Sequence, residues 1–279
     1  MSARPDLRPL FPELERRLIT LLRSLSADDW AKPTIAGRWT VKDVTAHLLD
    51  TSLRRLSMVR DGYHGESPNI RSYQDLVDFL NRLNADWVAA MRRISPPILI
   101  DMLEQSSQQV SAHFATLDLA AAAAFSVDWA GEDKSENWFD IAREYTERWH
   151  HQQQIRLATG RDRRDDDDRI TTRQLYFPVL DTFFRALPHH YRDVSAAPGT
   201  IIRVKVTGEA GGEWAIERRD AWQMSDTLRA ATAEVTIPDD IAWRVVTKGI
   251  PRAEAMQRAQ LTGDRALAEH VFSMLSIMG

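Results

Sequence analysis

The sequence predicts a helical bundle followed by a small α+β domain. Two observations carry that fold class. Apolar residues recur at helical spacing through most of the first 190 residues, and beyond residue 200 they alternate with polar ones. Between the two regimes lies SAAPG (Ser195–Gly199), a stretch of chain-breaking composition. The expected domains are therefore residues 1–194 and 195–279.

The elements follow in order. Leu14, Leu18, Leu21 and Leu22 make the apolar stripe of a first helix over residues 10–26, which Pro33 and Gly37 separate from the next. Thr40 is placed to cap a second helix, with Asp43 as the acid of a capping box. Val41, Val44, His47 and Leu48 share its inner face, and it ends near Gly62. Leu76, Phe79, Leu80, Leu83 and Trp87 mark a third helix over 71–94. Pro96 and Pro97 stop it and open a fourth, roughly 97–118. The alanine-rich stretch after Asp118 reads as a connection. A fifth helix covers 137–159 and stops at Gly160, before the mixed charge run RDRRDDDDR, read as an exposed loop. A sixth covers about 171–188. Beyond the break, TIIRVKVTG reads as a strand and GEWAIERRD as its hairpin partner. TAEVTIP is a third strand, Pro238–Asp240 opens a helix, and the last 15 residues read as an amphipathic helix.

Composition narrows the function. Of 279 residues, 43% are hydrophobic and 27% charged, the balance of an ordinary globular chain with a core. The net charge of −4 and the lack of a basic run argue against nucleic acid as a partner. No apolar run reaches the ~20 residues that a bilayer span needs, and the opening MSARPDLRPLFPELERR has no leader-type apolar core. A cytoplasmic chain without a membrane partner is expected. There is no cysteine, so any metal site must use His, Asp or Glu.

One stretch, REYTERWHHQQQIRLATG (Arg143–Gly160), carries chemistry. Glu147 and His151 stand four apart, which puts them on one helix face with Cβ atoms about 5–6 Å apart. A carboxylate and an imidazole at that spacing can share one cation. His47, inward-facing on the second helix, adds a third candidate, as bundles build metal sites from facing helices. Three protein ligands leave room for water or substrate. The same residues also fit a hydrogen-bonded core histidine and a solvated Glu–His pair. Adjacent His150 is the other candidate; His151 shares its face with Gln154 and Ile155, so His150 is expected to flank the site.

The wider pattern resembles a known family. GRWTVKDVTAHLLD (Gly37–Asp50), followed about a hundred residues later by ERWHHQQQIRLATGR (Glu147–Arg161), is similar to the DinB-like metalloprotein superfamily and within it to the mycothiol-dependent maleylpyruvate isomerase branch. The resemblance implies a four-helix bundle binding a divalent metal, usually zinc, through His47, Glu147 and His151; nickel is the alternative. The C-terminal half, best in AMQRAQLTGD, resembles the sterol-carrier-protein-like domain that follows the bundle in that branch. The helix departs from the branch in HHQQQIR, where a His followed by Val or Trp and Asp is the family pattern.

The resemblance further implies an enzyme that activates a low-molecular-weight thiol as co-substrate, in an isomerase or S-transferase reaction on a small molecule. The lack of cysteine fits a thiol brought from outside. A metal-dependent hydrolase and a non-catalytic small-molecule binding protein are the alternatives, and a homodimer is the alternative to a single copy. Arg54, seven residues after His47 on the same face, is the expected charge partner of an acidic substrate, with Arg148 or Arg156 as further candidates. Trp39 and Trp149 are expected to wall the pocket or to pack the core.

Overall fold

A computed structural model describes residues 4–66, 68–162 and 167–277. The described residues form two compact units, one running to Ala124 and resuming over Glu147–Ile170, the other of Phe125–Thr146 and Thr171–Ile277. The N-terminal region is helical and an α+β region follows, as the sequence predicts; its sheet is mixed and holds five strands, two more than the three expected.

The first unit is a helical bundle. Its helices are α1 (Phe11–Arg23), the short α2 (Ala27–Ala31), α3 (Val41–Arg55), α4 (Tyr73–Met91), α5 (Pro96–Ala115) and the C-terminal half of α6 (Asn137–Thr159). The expected capping box at the start of α3 forms: Asp43 N donates to Thr40 Oγ1, and Thr40 N donates to the Asp43 carboxylate. One π-helical turn, Leu56–Arg60, carries the chain on from α3 to a stop at Gly62. Leu18 and Leu22 of α1, Val44 and Leu48 of α3, Leu99 and Leu103 of α5 and Ile155 of α6 meet in one core. Helix α4 lies less deep: Val77 and Val88 are its buried residues, while Phe79, Leu83 and Trp87 are half-buried. The alanine-rich stretch after Asp118 forms turns rather than helix. Residues 163–166 of the charge run lie outside the described residues.

The second unit carries helices α7 (Arg173–Phe184) and α8 (Leu187–His190) and the strands β1 (Ile201–Val206), β2 (Gly212–Arg218), β3 (Trp222–Met224), β4 (Ala233–Ile237) and β5 (Gln260–Gly263). Strand order is β3-β2-β1-β4-β5. The pair β1–β2 is the expected antiparallel hairpin, and β4 joins the other side of β1 in parallel. Ile202, Val204 and Val206 face inward, while Arg203 and Lys205 face a row of carboxylates from Glu213 and Glu234. Between and after the strands come α9 (Asp239–Val246), α10 (Arg252–Arg258) and α11 (Arg265–His270). Tyr176 of α7 pins the start of α9, its hydroxyl donating to Asp239 O at 2.8 Å.

The stretch LTGD leads into a helix and is itself part strand: Leu261–Gly263 belong to edge strand β5, and Asp264 caps α11 by accepting from Leu267 N. Gly263 sits at φ +75°, where a Cβ would meet Thr232 O at 2.1 Å, so only glycine fits that bend. The last helix is shorter than expected. After His270 the chain takes one 3₁₀ turn, Val271–Ser273, and then extends, because Ser276 hydrogen-bonds to other elements instead, its N to Val246 O at the end of α9 and its Oγ to Phe183 O of α7.

Candidate metal centre

Three side chains converge inside the bundle. His47 comes from the middle of α3, where Val44 and Leu48 on either side hold its face inward. Glu147 and His151 come from α6, one turn apart. Nε2 of His47 lies 3.0 Å from Oε1 of Glu147, and Nε2 of His151 lies 3.1 Å from the same oxygen. The candidate ligand atoms all fall within 4.8 Å of one another. Both imidazoles are buried, while the Glu147 side chain keeps 25% of its exposure, so the cluster opens outward past the carboxylate.

The electrostatics are lopsided. Burial pushes the His47 pKa down; Glu147 pulls it the other way, and the charges of His151 and Arg54 add to the lowering. Burial alone would raise the pKa of Glu147, but His151, His47 and His150 offset it and hold the carboxyl well below its usual range. The cluster thus keeps an ionised carboxylate between two imidazoles.

The donor set fits a cation. Nδ1 of His151 faces Oε1 of Gln154 at 2.8 Å. A neutral ring then carries its proton on Nδ1 and turns the lone pair of Nε2 toward a carboxylate oxygen. Two acceptors at 3.1 Å need a positive charge between them, either a proton or a metal ion. Nδ1 of His47 is buried, with no partner among the described residues. Two imidazole nitrogens and one carboxylate oxygen are a donor set that suits zinc and its neighbours in the first transition row.

The neighbours sort themselves plainly. The ring of His150 lies 4.1 Å from that of His151, but its Nδ1 stays 3.9 Å from Glu147 Oε2, outside the cluster. Trp39 lies over the site, 4.9 Å from the His47 ring and 6.4 Å from that of His151. Trp149 does not wall it; it is fully buried and donates to Ile170 O at 2.8 Å. Arg54 sits on the His47 face of α3, ion-paired with Asp50 at 3.1 Å and donating to Asn84 Oδ1 at 2.9 Å. Arg148 and Arg156 turn elsewhere. Arg148 is buried and bonds to Glu15, Ser52 and Ser107; Arg156, also buried, reaches the carbonyls of Arg17 and Arg161. Asp50, Asn84 and Gln154 escape a reading that looks only for ligands, although Asp50 is three residues from His47 and Gln154 three from His151.

Fold and site define a class: a helical bundle with a carboxylate shared by two histidines, joined to a small α+β unit. The chain belongs to the family of the mycothiol maleylpyruvate isomerase N-terminal domain, whose model matches residues 11–156, a span holding all three clustered residues. Among solved structures it is similar to the mycothiol-dependent maleylpyruvate isomerase, with TM-score 0.51 and 11% identity over 88% of this chain and 91% of that one. A histidine-to-alanine mutant of that isomerase matches over the same shares at TM-score 0.51 and 10% identity. At such identities the likeness is one of fold. No curated protein matches the chain. Among the described residues, no helix is long and apolar enough to cross a membrane.

Proposed function

We propose that this chain is a metal-dependent enzyme that activates a small exogenous thiol of the mycothiol type, in an isomerase or S-transferase reaction on a small acidic substrate. The observation that carries this reading is the single carboxylate oxygen of Glu147 held 3.0 and 3.1 Å from two imidazole Nε2 atoms. Family membership and the fold of the mycothiol-dependent maleylpyruvate isomerase support the thiol.

In this proposal His47, Glu147 and His151 hold a divalent ion, zinc rather than nickel. Such an ion, when bound, supplies the Lewis acidity that favours thiolate over thiol near neutral pH. The chain's own residues do the rest. Glu147 contributes the one formal negative charge of the ligand set. Trp39 shields the two imidazoles from water on one side. Arg54, anchored by Asp50 and Asn84, offers its cationic end to a carboxylate of the substrate. With no cysteine in the chain, the reacting sulfur must come with the co-substrate.

The test is metal analysis followed by cobalt substitution. Purified protein should hold about one divalent ion per chain. His47→Ala and His151→Ala should each lose it, and His150→Ala should keep most of it. A small thiol added to the cobalt form near pH 7 should give sulfur-to-metal charge-transfer bands, below the free-thiol pKa of about 8.5. Ester or amide turnover without thiol, with thiols only inhibiting, would move the assignment to a hydrolase. A metal-free protein would leave a binding role.

A further inference from the structure

The two clustered histidines look alike in the sequence and are not alike in the structure. His151 Nδ1 has a partner, Gln154 Oε1, at 2.8 Å, and both residues are buried. His47 Nδ1 is equally buried and has none among the described residues. A neutral imidazole carries one N–H, and the other nitrogen alone can donate a lone pair. Whichever nitrogen holds the proton decides which nitrogen is a ligand.

Resting on the metal reading above, we propose that Gln154 is the positioning residue of the centre: its side-chain carbonyl fixes the His151 proton on Nδ1 and so presents Nε2 as the donor. The spacing is local and rigid. Gln154 lies three residues after His151, and Glu147 four before it, so one helix face carries the acceptor, the ring and the carboxylate in line. The Nδ1 contact also stops rotation of the ring, because turning it would strip a buried N–H of its acceptor. Metal-bound histidines ordinarily give their second N–H to a carboxylate, a carbonyl or water. Here the acceptor is a neutral amide, so the ring is oriented while Glu147 remains the sole formal charge of the set. His47 receives no such help from any described residue, and its Nε2 is oriented by the packing of α3 and by Glu147.

The experiment titrates zinc into metal-stripped wild type and into Gln154→Met and Gln154→Glu, each first checked for a native unfolding transition. Gln154→Met keeps the bulk and loses the acceptor; Gln154→Glu keeps an acceptor. Met should weaken zinc binding roughly 10- to 100-fold, the usual cost of losing such a partner, and Glu should restore it. In the zinc-loaded wild type, nitrogen NMR of the histidines should show His151 protonated at Nδ1, with that slow-exchanging proton gone in Gln154→Met. Equal zinc affinity in wild type and Gln154→Met, or an unchanged Nδ1 proton, would overturn the role of Gln154 alone. A wild type that takes up no zinc would overturn the metal reading, and this proposal with it.

Discussion

Arg148 and Glu15 form an ion pair in the interior of the bundle, one residue along α6 from Glu147. The same guanidinium reaches Ser52 Oγ at 2.9 Å and Ser107 Oγ at 3.3 Å, so a single side chain of α6 ties α1, α3 and α5. Removing one member leaves a buried charge uncompensated. Arg148→Met should cost about 3 kcal/mol of stability in denaturant unfolding at neutral pH, and adding Glu15→Leu should recover most of it. A single variant as stable as wild type would show that water already satisfies Glu15.

On the proposed reading, Arg54 binds the substrate and leaves the metal alone. Its side chain is 26% exposed while its ion-pair partner Asp50 is buried, so the cation reaches toward solvent from a fixed base. With maleate as the probe, Arg54→Gln should raise the calorimetric Kd of the zinc-loaded protein about tenfold, equal to roughly 1.4 kcal/mol. Zinc content should not change. Unaltered maleate affinity would remove Arg54 from the site.

His190 is expected to make the second unit acid-sensitive. Its ring stacks on His270 at 4.2 Å, and each Nε2 contacts the other residue's carbonyl, at 2.9 and 3.2 Å. Burial lowers the His190 pKa from 6.5 to about 4. The unfolded chain therefore binds this proton at a higher pH than the folded one. Stability from this group is complete above pH 6.5 and drains as pH falls toward 4, by a few kcal/mol at most once solvent screening is counted. Thermal unfolding between pH 7 and 4 should show the slope, and His190→Gln should flatten it. An unchanged slope in that variant would assign the effect to other histidines.

Truncation tests the boundary proposed near residue 195. A chain ending at 194 deprives Tyr176 of its Asp239 acceptor and Phe184 of its contact with Trp214, whose ring centroid lies 4.7 Å away. The damage should stay within residues 125–146 and 171–194. The bundle core and the His47, Glu147 and His151 cluster lie wholly in the first unit, so circular dichroism should remain helical and zinc should still bind. An insoluble or metal-free fragment would place the boundary elsewhere.

Much of this architecture is legible in the residues, where one local rule decides. Helix α6 spans the 137–159 expected from its apolar pattern and Gly160, and Thr40–Asp43 caps α3 as its side chains dictate. Strands β1 and β4 alternate over five or more residues and are readable, and β2 is read as a hairpin partner from the Gly-rich turn before it; β3 and β5 hold three and four residues, too few for a period to emerge. The final helix breaks off because Ser276 finds partners far away in sequence, which no local pattern contains. Spacing puts His47, Glu147 and His151 on the faces that converge. It misplaces Arg148, because one step along a helix turns a side chain by 100°, from the cluster into the packed interior.

The strand order has a kinetic meaning. Strand β1 is central, and its antiparallel neighbour β2 follows after the five residues Thr207–Gly211. Its parallel neighbour β4 starts only at Ala233, and β5 pairs in turn with β4. Closing a long excursion costs more chain entropy than closing a tight turn, and nothing repays that cost until the strands meet. The ribbon β1–β2–β3 is thus the natural seed of the sheet, and β4, β5 and α11 form the wing that arrives last. Until β4 pairs, the flank of β1 is expected to be an open edge; Arg203 and Lys205 on its polar face are the charges that discourage a second chain there, and Glu234 meets them only when β4 itself arrives.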